Sequence, residues 1–400
     1  MKISSVDVIQ CNCLENPAFR PIICRINTDE GIYGYGEAAV AYGTGAPAAF
    51  GMIKDFATLI IGKDPMNIEA IWDTLMKTTF WGQGGGTIIF AGISAIDMAL
   101  WDIKGKVFGV PIYKLLGGKT NSKLRTYASQ LQLGWDKNLK IGWGQACEPG
   151  SAPERYAETA KIAISQGYDC IKIDFLNYNR QGFAHTHKQL TKPLTYEVMH
   201  LAEERLTAVR EAVGNEVDII IENHCGTDAV SAVQFGRLAE KFNIFYYEEP
   251  VTPLNPEMTK YVAERVKIPI AQGERIYGRW AYIPFLKDHS VQVIQPDIGN
   301  CGGITEAKKI CDMAHAYDVS VQTHVCGSPI AKAAALQLET TLPNFLIHEH
   351  HVINMAPYIT ELGVYDYQPV NGYYTVPEVP GIGQELSQKA LDNADIVTVK

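Results

Sequence analysis

Three glutamates at equal intervals constrain this chain more than any other feature. Glu222, Glu248 and Glu274 stand 26 residues apart in each case, and each closes a short apolar run: DIIIE, IFYYE and IPIAQGE. A strand, turn, helix and turn consume about that many residues. Each period therefore returns a carboxylate to the same end of a parallel sheet. In a β/α barrel that end is the C-terminal face, where active sites lie. Three converging carboxylates repel one another unless a cation sits between them. A hard divalent ion that prefers oxygen ligands, Mg²⁺, meets that need.

The rest of the chain fits around this unit. Its 400 residues, 46% of them hydrophobic, suffice for a barrel and a second domain. Residues 1–38 read as an antiparallel meander of KISSVDVIQC, IICRINT and IYGYGEA, with a turn at Asp29-Glu30-Gly31. The Gly/Ala-rich segment 38–49, with Tyr42, Gly43 and Gly45, suits a loop over a ligand and a plain connector equally. Helical periodicity then covers 47–61, 66–79 and 87–107. From Leu124 eight short strands alternate with helices such as 153–166, 196–213, 228–241, 254–265, 304–316 and 329–339, which predicts a parallel barrel. The alternation lapses after Pro369, and the tail is expected to return to the N-terminal part. The predicted division is an α+β capping domain at 1–123, a barrel at 124–368 and a C-terminal segment at 369–400. An insertion at 177–194 carries His185 and His187, which are expected to be polar surface rather than part of a lid.

Several classes are disfavoured. A net charge of −9 with no Lys/Arg run argues against nucleic-acid binding. The nine cysteines form no CxxC pair and read as reduced thiols, the N-terminal MKISSVDVIQ lacks a signal-type apolar core, and the apolar run Ile88–Ile96 is too short for a bilayer. These features predict a soluble, cytoplasmic protein with no membrane partner. Gly82, Gly84, Gly85 and Gly86 follow a helical pattern rather than a strand, so they are read as a turn and not as a dinucleotide fingerprint.

Side chains alternate along a strand. Lys172 and Asp174 then share a face, as do Glu222 and His224, with Asn223 opposite; Glu249 lies opposite Glu248. Glu274, Asp297, His324 and Glu349 end the later strands. The three glutamates can hold a cation that clamps a substrate carboxylate and stabilises the dianion left when the adjacent proton departs. His324, oriented by Asp297 on the neighbouring strand, suits the base. His224 can hand a proton to a leaving hydroxyl, and Glu349, if protonated, can hydrogen-bond the enolate. Lys172 offers a positive charge to the substrate carboxylate or, nearly as well, a salt bridge to Asp174.

GIYGYGEA, ALWDIKGK, LLGG, YYEEP, the GER-x-Y-x-RW run from Gly273 to Trp280, QPD, GGITEA and the late His and Glu together resemble the enolase superfamily. Within it they are most similar to the mandelate racemase-like acid-sugar dehydratases of the galactonate dehydratase type. The resemblance implies an α/β fold, a TIM-type barrel of modified (β/α)7β form with an N-terminal capping domain, and a homo-oligomer. It implies Mg²⁺ on Glu222, Glu248 and Glu274, proton abstraction by His324 with Asp297, protonation of the leaving 3-hydroxyl by His224, and support of the intermediate by Glu349. A Lys or His base working with Mg²⁺ is the general pattern of that superfamily. Two departures stand out. Glu222 replaces the usual aspartate, and Lys172-Ile173-Asp174 replaces the Lys-x-Lys of the racemases, removing the base on that side. The resulting expectation is syn- or anti-elimination of water from a sugar acid to a 2-keto-3-deoxy acid. An epimerase or cycloisomerase using the same enolate is the alternative, separated by whether a leaving group departs. A metal-holding sensor would have no need of the Asp297–His324 pair.

Overall fold

Antiparallel pairing of β1 (Ile3–Cys11), β2 (Ile22–Thr28) and β3 (Tyr33–Ala38) builds the first sheet of the computed structural model, which describes residues 1–13, 15–139 and 151–400. Helices α1 (Ala46–Ile60), α2 (Ile68–Lys77) and α3 (Thr87–Phe108) cover it, with Ile53, Phe56, Ile93 and Ile96 in the shared core. The approach of α3 to β3 demands glycine. A Cβ on Gly34 or Gly36 would lie 2.2 or 2.0 Å from the carbonyl oxygens of Ala99 and Ala95. The last strand, Ala394–Val399, hydrogen-bonds to the free edge of β1.

After α4 (Ile112–Leu115) the chain alternates. β4 (Leu124–Ser129) and α5 (Pro153–Ser165) lead to β5 (Cys170–Asp174). The short α6 (His187–Leu190) and then α7 (Tyr196–Val213) precede β6 (Asp218–Glu222). Next come α8 (Ala229–Ala239), β7 (Ile244–Glu248), α9 (Pro256–Ala263), β8 (Ile270–Gln272), α10 (Arg279–Lys287) and β9 (Val293–Ile294). The series ends with α11 (Gly303–His315), β10 (Ser320–Val321), α12 (Pro329–Glu339) and β11 (His348–His351). All neighbouring pairs are parallel, β11 pairs β4, and a Val321–Phe345 bridge joins β10 to the approach to β11. The result is a closed (β/α)7β barrel of TIM type with a separate antiparallel sheet. The reading from sequence named no helix between the fifth and sixth barrel strands; α10, with Pro284 inside it, is there. Tyr373–Tyr374 of the tail pairs with the barrel strand β4 rather than with the first sheet.

Alternation along the strands explains where the polar residues sit. Tyr127, Cys170, Ile220, Tyr246 and Ile347 form an apolar plug inside the barrel. Two residues further along the same strands come Ser129, Lys172, Glu222, Glu248 and Glu349, so the polar layer lies directly above the plug. The eight described cysteines are free thiols, and Cys147 lies outside the described residues. Among the described residues no helix is long and apolar enough to cross a membrane.

Candidate active site

The polar layer forms the floor of a cavity of about 820 Å³ whose lining includes Lys172, Glu222, His224, Glu274, His324 and Glu349. Lys172 is the hub of its buried half. Its Nζ lies 2.8 Å from Glu222 Oε2, 2.7 Å from Glu248 Oε1 and 3.0 Å from Glu349 Oε1. Asp174 is not its partner: that carboxylate accepts from the Leu176 N–H. The ammonium therefore answers charges on β6, β7 and β11, which cross-strand adjacency brings closer than its own neighbour in the chain.

Strand alternation accounts for Glu222 and Glu248 but not for His224. β6 ends at Glu222, and the chain then bends through His224 (φ 45°) and Cys225 (φ 55°) in the left-handed region. The bend brings both the Asn223 and His224 N–H groups to Glu222 Oε1 at 3.1 Å. It leaves the His224 ring 3.7 Å from Glu222 Oε2 and 3.6 Å from Asp174 Oδ2. Gln130, also left-handed at φ 70°, reaches His224 Nε2 at 3.3 Å. Glu249 (φ 46°) follows β7 in the same way. Non-glycine residues in this conformation cluster where a site over-determines the backbone. Gln132 completes the group, donating to Gln130 Oε1 at 2.5 Å while its own Oε1 accepts from the Asp174 N–H at 3.2 Å. This glutamine pair was not read from sequence; its only signal is two polar residues at i, i+2 after the first barrel strand.

Across the mouth, four strands away from β6 in either direction, His324 follows β10. Its Nδ1 is 2.6 Å from Asp297 Oδ2, and Asp297 Oδ1 accepts from the Gly299 N–H at 2.7 Å. Its Nε2 faces Glu274 at 3.4 Å and Glu349 at 4.0 Å. Burial opposes a charged ring, but Glu274 and the Asp297 hydrogen bond outweigh it and raise the His324 pKa well above its ordinary value. Burial likewise works against charge on His224, yet Glu222 and Asp174 lift its pKa to about 9. Burial also raises the Asp297 carboxyl, even against its bond to His324.

From the sequence, Glu349 can hydrogen-bond the enolate only if protonated. Burial pushes its carboxyl up, but Lys172 and His324 more than compensate and hold it ionised. It accepts from Ser129 Oγ at 2.8 Å and from the Val325 N–H at 3.0 Å. Glu274 is also held down, burial being outweighed by His324 and Arg275. Arg275, which from the sequence suits a second substrate carboxylate and a structural role equally, bridges Glu274 to the buried Glu249.

The donor set matches a hard divalent cation in chemistry. Glu248 Oε2 is buried with no donor, and Glu222 Oε2 has the Lys172 charge near it but no hydrogen bond. Burial and the Glu222 charge push the Glu248 carboxyl well up, which a cation would reverse. The side chains are not gathered on one point. No cluster of three or more His, Cys, Asp or Glu among the described residues encloses an ion-sized space, because Glu274 turns to Arg275 and His324.

The loop segment over the cavity is tied down. Residues 39–45 line it, the Ala39 N–H donates to Gly299 O at 2.9 Å, and Arg20 donates to Gly43 O at 2.8 Å. His185 and His187, expected to be plain surface, also line the cavity.

Comparison with known proteins agrees with this architecture. Residues 17–117 match the mandelate racemase/muconate lactonizing enzyme N-terminal domain, and residues 155–390 match the enolase C-terminal domain-like model. A D-galactonate dehydratase of Ralstonia pickettii is 30% identical over 92% of this chain and 89% of its own. A D-xylonate dehydratase of Haloferax volcanii is 32% identical over 93% and 84%. A crystal structure of an enolase superfamily member from Salmonella Typhimurium shares 54% identity with a TM-score of 0.94 over the whole of both chains. The chain belongs to the mandelate racemase/muconate lactonizing enzyme family of the enolase superfamily.

Proposed function

We propose that this chain is a Mg²⁺-dependent dehydratase of a sugar acid, an aldonate such as galactonate or a related acid, giving a 2-keto-3-deoxy product. The observation that carries the reading is the Asp297–His324 pair at 2.6 Å, opposed across the barrel mouth by His224. The relatives named as dehydratases of D-galactonate and D-xylonate support the substrate class. A cytoplasmic homo-oligomer is part of the same reading.

Glu222, Glu248 and Glu274 would hold the cation. Bound there, it would supply a Lewis acid for the substrate carboxylate and the charge developing on it. His324 Nε2 takes the proton beside that carboxylate, with Asp297 fixing Nδ1. Glu274 is the strongest attraction keeping a proton on His324, so the base is available when that carboxylate is engaged elsewhere. His224, carrying its proton at neutral pH, returns it to the departing 3-hydroxyl. Opposite walls for base and acid favour loss of H and OH from opposite faces. Lys172 steadies the buried carboxylates, and Glu349 holds Lys172 and the Val325 backbone in place.

Proton NMR of five- and six-carbon acids with protein and Mg²⁺ in D₂O tests the reading. Loss of the C2 proton with a new deuterated 3-deoxy centre is the expected result. Exchange or inversion at C2 with every hydroxyl retained would overturn it in favour of an epimerase.

A further inference from the structure

The insertion at 177–194 folds as a built element. Tyr178 and Ala184 pair antiparallel, the Asn179 N–H donates to Phe183 O at 2.9 Å, and the His185 N–H donates to Asn177 O at 2.8 Å. Asn179 Oδ1 closes the turn by accepting from the Gln181 and Phe183 N–H groups, each at 3.0 Å. Thr186 and Gln189 then cap α6 reciprocally. The product of this scaffolding is one fixed imidazole. His185 Nδ1 lies 2.7 Å from the Leu176 carbonyl oxygen. A carbonyl only accepts, so Nδ1 carries the proton, and the tautomer this selects leaves the lone pair on Nε2.

His185 lines the same cavity as the catalytic groups but stands on a loop, outside the layer at the strand ends. The substrate carboxylate and its α-carbon belong at that layer, between Lys172 and His324, so the hydroxylated chain runs outward to the loops. Among the described residues, the Lys and Arg side chains lining the cavity are Lys172 and Arg275, and both are already paired with carboxylates of the site. A second carboxylate at the outer end would meet a lone pair rather than a free cation. A hydroxyl there would donate to it.

We propose that His185 is a specificity-determining residue that accepts a hydrogen bond from the terminal hydroxyl of the acid, selecting monocarboxylic aldonates over their diacids. This rests on the dehydratase reading and deepens it. The test uses the full chain with Mg²⁺, the hexonate it dehydrates fastest, and the 6-deoxy and 6-carboxylate counterparts of that hexonate. Wild type is expected to lose about ten-fold in kcat/KM on the 6-deoxy acid and more on the diacid. His185→Ala should lose about ten-fold on the hexonate yet match wild type on the 6-deoxy acid, and His185→Gln, which keeps an acceptor, should recover most of the loss. An equal penalty on hexonate and 6-deoxy acid would overturn the inference while leaving the dehydratase reading intact. So would a wild-type preference for the diacid that His185→Ala abolishes. No dehydration of any acid by wild type would overturn both.

Discussion

The Lys172 ammonium touches carboxylates on three other strands and none on its own. Side-chain alternation and strand ends told which residues reach the barrel mouth, so Glu222, Glu248, His324 and Glu349 were legible in the sequence. It could not tell which of those groups meet, since partners across a barrel are fixed by register and shear rather than by spacing in the chain. The alternative reading of Lys172, a salt bridge to Asp174, failed for that reason. Removing a buried charge from such a group leaves the others uncompensated. Lys172→Met should therefore lose about 3–5 kcal/mol of stability in chelator, measured by denaturant unfolding, with Mg²⁺ restoring more of it than it adds to wild type. An unchanged midpoint in chelator would show that the carboxylates do not depend on Lys172. His324→Asn makes a separate prediction: turnover is abolished, while Mg²⁺ binding measured by calorimetry persists, because the imidazole is not among the proposed ligands. Unchanged turnover in that variant would remove His324 from the role of base.

Between elements, Glu37 makes one of the ties that join the first sheet to the barrel. This β3 residue accepts from the Ser328 and Ala331 N–H groups at the start of α12, at 2.9 and 3.0 Å, and from Ser328 Oγ. It thereby pins the first sheet to the barrel. Burial nonetheless pushes its carboxyl from 4.5 up to about 7, even against those donors. The folded protein then binds a proton between about pH 4.5 and 7 that the unfolded chain has released, so this residue's contribution falls as pH rises through that window. The stability difference between wild type and Glu37→Gln should shift against wild type by up to about 3 kcal/mol across it. A flat difference would mean that the three donors fully offset burial. Such cross-element contacts were invisible in the sequence, whereas the elements themselves were not: the readings 196–213 and 329–339 coincide with α7 and α12. The misses have local causes. β9 and β10 keep only two paired residues each, because their chains leave the sheet early to carry Asp297 and His324. The insertion histidines were discounted because nothing in their spacing reveals a hairpin held by Asn179.

At the scale of the molecule, the tail holds both halves in register. Tyr373–Tyr374 lies on β4 of the barrel, and Ala394–Val399 pairs with β1 from Val6↔Val399 to Cys11↔Ala394. The first sheet in turn leads into residues 39–45 over the cavity, so loss of the last strand should be felt at the site and not in the barrel core. Removing residues 394–400 would also leave β1 as an open edge, a template for pairing between chains. The truncated protein is expected to keep its barrel, seen as near-native far-UV circular dichroism, while KM rises several-fold more than kcat falls and concentration-dependent association appears in light scattering. A fall in kcat at unchanged KM would place the effect on the catalytic layer instead, and would mean that the first sheet does not position the loop that lines the cavity.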